Sequence, residues 1–198
     1  MSTPEDMAQC EHRDCFGNPP IAAGRDEIRR GMTMSEYGLD AHQFREHVVR
    51  PALQRLALWS QAAENLVHGT ALKESNLRYV RQLGSGPAVG PFQMEPETHL
   101  SLWVNGIPRY PVLRAELVNM TTFSRGADVP SPSEMIANWI YAAAMCRVHY
   151  YLVPKRLPAA DDALGMAKYW KTYYNSVMGK GTVDGALPHF QFACGVLG

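Results

Sequence analysis

Ala71-Leu-Lys-Glu-Ser-Asn-Leu-Arg78, Gly84-Ser-Gly-Pro-Ala-Val-Gly90 and Pro91-Phe-Gln-Met-Glu-Pro-Glu-Thr98 follow one another and decide how this chain is read. The first segment closes a helix. The second is a glycine-punctuated turn, and the third opens another helix. The order places the carboxyl group of Glu74 beside backbone that carries few side chains, which a ligand can approach closely.

The surrounding composition is that of a globular chain. With 198 residues, 46% of them apolar and 19% charged, it is long enough for one domain with its own core. Formal net charge is zero, which argues against a nucleic-acid-coating protein. The acidic start, Met1-Ser-Thr-Pro-Glu-Asp-Met7, has no apolar segment of the secretory kind. The expectation is synthesis in the cytosol, with another agent carrying the protein to any cell wall it acts on. The most apolar run, Ile136 to Val153, contains Asn138, Arg147 and His149 and reads as a buried helix, not a membrane span. Cys10, His12 and Cys15 offer three zinc-type ligands without a placed fourth, so no metal is expected. Cys146 reads as core packing.

Residues 1–38 are rich in Gly, Pro and charge and read as an irregular arm; residues 39–198 read as an all-α domain. Asp40 caps a helix to about Trp59, with a kink expected at Pro51. Ser60 starts the helix ending near Glu74. A vestigial β-hairpin is allowed near 84–92. Short helices follow from Glu97 and from Pro108. Ser131-Pro-Ser-Glu134 reads as a capping box launching one long helix to Val153. Asp161-Asp162 open a helix to about Met178, and a last helix follows Gly179-Lys-Gly-Thr182.

General-acid cleavage of a glycosidic bond needs a carboxyl still protonated near neutral pH, and a half-apolar groove at a helix end supplies one by desolvation. Leu72, Leu77, Phe92 and Met94 are candidate walls around Glu74. Gln93 can both donate to and accept from a sugar hydroxyl or N-acetyl group. No Asp or Glu lies between Glu74 and Glu95; Glu95, Glu97 and Asp128 are the remaining candidates for a second carboxylate. A single carboxyl suffices when the substrate's own 6-hydroxyl or N-acetyl group does the nucleophilic work. On the long helix, Tyr150 and, behind it, Tyr141 are candidates to hydrogen-bond the acid or the glycan. His149 reads as structural, and Trp103, Trp139 and Trp170 as core.

Glu74-Ser75, Gly90, and Phe92-Gln93-Met94 with Pro96 and Thr98 resemble the lysozyme-like superfamily, in particular soluble-type lytic transglycosylase domains and their phage-borne relatives. The resemblance covers about residues 60–105. It implies a lysozyme-like fold and cleavage of the β-1,4 bond between N-acetylmuramic acid and N-acetylglucosamine in peptidoglycan glycan strands. Glu74 would be the single acid/base; Ser75, Gly90, Phe92, Gln93, Met94 and Tyr150 would shape and bind the glycan, with no cofactor or metal. The family's later Tyr-Asn pair is placed at Tyr150-Tyr151, where the Asn is lacking; Leu157 to Tyr174 is given no chemical role. A phage virion setting with other virion proteins as partners is also implied. The alternatives are a muramidase or chitinase-type hydrolase on the same fold, and a virion or interaction module without activity.

Overall fold

The structure, a computed structural model, describes residues 38–175 and 179–196. The expected N-terminal arm, apart from Gly38, and the Cys10, His12, Cys15 set lie outside the described residues. The chain is all-α. Among the described residues its α-helices are α1 (Ala41–Phe44), α2 (Arg50–Arg55), α3 (Gln61–Ser75), α4 (Pro96–Ser101), α5 (Pro111–Met120), α6 (Glu134–Ala137), α7 (Trp139–Tyr151), α8 (Ala163–Tyr173) and α9 (Val183–Cys194). The hairpin allowed near 84–92 is reduced to two isolated bridges, Arg81 with Val89 and Val89 with Met94.

Local chemistry sets most boundaries. Asp40, Ser60, Asp162 and Thr182 each cap the helix that follows by accepting a backbone N–H three residues on. Pro51 lacks an N–H and its ring crowds the preceding turn. The chain meets this with a π-helical turn, Arg45–Val49, between α1 and α2, in place of a sharp kink.

The expected long helix after Ser131 is corrected to two helices, broken at Asn138 (φ −99°, ψ 85°). Glu134 does not close a capping box. Its buried carboxylate accepts the N–H groups of Thr122, Phe123 and Ser124, together with Asn138 Nδ2. Buried amides need acceptors, and the loop after α5 finds its acceptor in Glu134. Asn138 then caps α7 through Tyr141 N–H and ties the break to Met120 O at 2.8 Å.

Two helices form the centre. α7 is buried without interruption from Tyr141 to Val148, and α3 is buried from Ala63 to Leu72. Helices buried all round lie inside a protein. α2, α3 and α5 pack against α7, while α8 and α9 pack on each other and on α3. Among the described residues no helix is long and apolar enough to cross a membrane.

Gly69 lets α9 seat on α3. A Cβ there would lie 2.4 Å from Phe190 Cδ1 and 2.5 Å from Cε1. Gly69→Ala is expected to push the two helices apart, costing about 1–3 kcal/mol. A thermal melt should show a Tm lower by roughly 3–10 °C; an unchanged Tm would mean the ring has room to move.

Candidate functional site

The last turn of α3 brings Glu74 to one wall of the site. Asn76 and Leu77 both take left-handed backbone (φ 49° and 54°), so the chain turns sharply away after Ser75. Ser75 holds that turn: its hydroxyl donates to Ala71 O and accepts Leu77 N–H at 3.1 Å. The facing wall is a tight loop in which Val89 and Met94 exchange backbone hydrogen bonds at 3.0 and 3.1 Å. Gln93 completes the loop with φ 46° and its side-chain amide on Gly90 O at 2.8 Å. A third wall comes from the end of α8 and the turn beyond it, with Tyr174, Asn175 and Gly179–Gly181; His149 of α7 also lines the site.

These walls enclose a cleft of about 770 Å³. Two smaller pockets, of about 270 and 400 Å³, are lined mainly by apolar groups around Trp139 and around Val112. The large cleft is where polar groups converge: Glu74, Gln93, Glu95, His149, Tyr174 and Asn175. Among the described residues no cluster of His, Cys, Asp or Glu could hold a metal.

Glu74 is mostly buried, and burial pushes its carboxyl up to about 7 against the opposing pull of the Trp170 N–H and the Lys73 charge. Trp170 Nε1 donates to Glu74 Oε1 at 2.8 Å. The His149 ring lies 5.0 Å from that of Tyr174, and burial lowers its pKa to about 4, so it is neutral at pH 7. Tyr174 OH donates to Phe92 O at 2.9 Å, joining the end of α8 to the facing loop. Lys171 Nζ holds Asn175 Oδ1 (2.9 Å) and Gly179 O (2.7 Å), which fixes the third wall from behind.

Of the residues singled out from sequence, Glu74, Ser75, Gln93 and Met94 come together on the cleft. Ser75 is 3% exposed and serves the helix end, so it contacts the cleft without offering a free hydroxyl. Three expected glycan contacts are corrected. Phe92 is buried against Phe44 at 6.1 Å and does not line the cleft; its carbonyl accepts the Tyr174 hydroxyl. Gly90 is bare because a Cβ would sit 2.6 Å from Met135 O; its close neighbour is protein backbone. Tyr150 is buried with its hydroxyl on Thr70 Oγ1 at 2.8 Å. Tyr141 is likewise internal, paired with His99 and Trp103. Leu72 and Leu77 are core residues. Among the second-acid candidates, Glu95 lines the cleft; Glu97 and Asp128 are exposed and do not.

Tyr174 and Asn175 are cleft residues that the sequence reading does not single out, and Trp170, read there as core, reaches Glu74. A Tyr-Asn dipeptide, Tyr174-Asn175, stands shortly before the Gly179-Lys-Gly turn, and both residues line the cleft. That adjacency was the legible signal. Trp170 had none, because an α8 tryptophan reaches α3 only through tertiary packing. No family model, curated protein or solved structure matches the chain.

Proposed function

We propose that this protein cleaves the β-1,4 linkage between N-acetylmuramic acid and N-acetylglucosamine in peptidoglycan, with Glu74 as its single acid and base. The observation that carries the reading is one mostly buried carboxyl group, held near neutrality, on the wall of a cleft large enough for sugar rings. Glu74 gives its proton to the glycosidic oxygen as the C1–O bond breaks and the bonding pair leaves with that oxygen. The carboxylate then takes the proton of the muramyl 6-hydroxyl as that oxygen bonds to C1, closing a 1,6-anhydro ring. Gln93, Tyr174 and Asn175, which line the cleft, would bind the glycan. No cofactor enters the reaction, and delivery within a phage virion belongs to the same proposal.

Purified peptidoglycan digested with the protein should yield anhydromuropeptides by mass spectrometry. Reducing muropeptides in their place would indicate hydrolysis, the second reading, which Glu95 on the same cleft favours. Because the acid must hold its proton, kcat/KM should fall as pH rises through about 7, the value of Glu74. A rate unchanged from pH 6 to pH 9 would remove Glu74 as the acid.

A further inference from the structure

Trp170 is 1% exposed, on α8, and its side chain is clamped. Phe190 of α9 lies against it with ring centroids 6.4 Å apart. The backbone at Gly181 approaches so closely that a Cβ there would sit 2.5 Å from indole Cη2. Lys73 Nζ stands 5.9 Å from the ring centroid. The indole plane therefore cannot swing, and its N–H points at Glu74 Oε1 from 2.8 Å.

An indole N–H donates and never accepts. While this bond stands, Oε1 is the acceptor oxygen, and because the carbonyl oxygen of a protonated carboxyl accepts better than its hydroxyl oxygen, the proton is favoured on Oε2. Among the described residues no other group donates to the Glu74 carboxyl, and Glu74 lines the cleft. We infer, resting on the acid/base reading of Glu74, that Trp170 is a positioning residue which anchors Oε1 and so assigns the transferable proton to Oε2. The same oxygen gives the proton to the leaving group and takes one back. The bond from Trp170 tightens as the carboxyl becomes negative, because hydrogen bonds to a charged acceptor are stronger. The donor is already in place before the proton leaves.

Other groups face this carboxyl. Lys73 on α3 favours the ionised form. Cys146 and Tyr150 from α7 and Tyr174 beyond α8 are all pushed up by burial and stay neutral at working pH. His149, Glu95 and Lys180 share the cleft. Removing the indole donor leaves Lys73 as the remaining neighbour that favours the carboxylate.

The test is Trp170→Phe, read in two ways. The first is the pH profile of kcat/KM on peptidoglycan. The second is the ¹³C titration of the Glu74 carboxyl, assigned as the resonance missing from Glu74→Gln. The inference requires the basic limb and the titration midpoint both to move upward, by about one pH unit. The plateau rate should fall about tenfold to hundredfold. A lower rate with both midpoints unmoved makes Trp170 a packing residue and overturns the inference. Should Trp170→Phe not fold, Trp170→3-benzothienylalanine keeps the shape and replaces only the N–H by sulfur, with the same outcomes required. If the parent cleaves no glycan but the ¹³C midpoint still rises, the anchor stands and the acid/base reading falls.

Discussion

Glu74→Gln should lose glycan cleavage by about a hundredfold to ten-thousandfold, the range a positioned general acid supplies, and gain stability at alkaline pH. The amide keeps an oxygen for the Trp170 N–H, so the wall of the cleft should hold its shape. The stability effect follows from linkage. The folded carboxyl sits at about 7 against 4.5 for an ordinary one, because burial disfavours its charge. The folded state therefore keeps the proton that the unfolded chain gives up, and stability falls as pH rises from about 4.5 through 7. Above that range the cost is about 3 kcal/mol, on the order of 1.4 kcal/mol per pH unit. The variant does not bear this cost. Thermal melts at pH 4 and pH 8 should show parent and variant alike at the lower pH and the variant higher at the upper one. A clearing assay in which variant and parent are equal removes the enzymatic reading and leaves a non-catalytic virion or interaction module.

The opposite sign is expected ten residues earlier on the same helix. Glu64 has no exposed side-chain surface, and its carboxylate is held by Arg45, Arg50 and the Trp59 indole. Burial pushes this group up, but the hydrogen bonds from Arg50, Trp59 and Arg45 outweigh it and bring it down to about 2. Removing one partner of a buried ion pair strands the others, so Glu64→Ala should cost about 3 kcal/mol near pH 7. That corresponds to a Tm lower by roughly 6–12 °C. The stabilisation is fully present above about 4.5 and is lost as pH falls through about 2. The gap between parent and Glu64→Ala in melts should accordingly close as the pH approaches 2. A gap that stays constant down to pH 2 would assign the loss to packing alone. Arg45 also bonds Asn65 and the carbonyl of Ala193, so the variant should loosen α9 first. Hydrogen exchange along Val183–Cys194 reports it.

Two glutamates on one helix thus carry opposite charges of meaning, and only their surroundings separate them. The reading of Glu74 began in the sequence, from a helix end followed by glycines and Phe92-Gln93-Met94. Helix starts were legible for the same reason: Asp40, Ser60, Asp162 and Thr182 act on amides three residues away, within the reach of local sequence. The break at Asn138 was not legible, because Glu134 answers to amides in a loop ten or more residues earlier. The tyrosines show the same division. Tyr150 and Tyr174 look alike along the chain, yet Tyr150 ends on Thr70 inside the core, while Tyr174 lines the cleft with its hydroxyl on Phe92 O.

The sequence by itself determined the all-α class, most helix starts, and the carboxyl at the end of α3, since each depends on residues within a few positions of one another. Tertiary structure alone decided that Gly90 lies against Met135, that Tyr174 and Asn175 line the cleft, and that an indole ninety-six positions away grips Glu74. The physical reason is that desolvation and directed hydrogen bonds are set by what packs around a group, and packing partners here come from helices far apart in the chain.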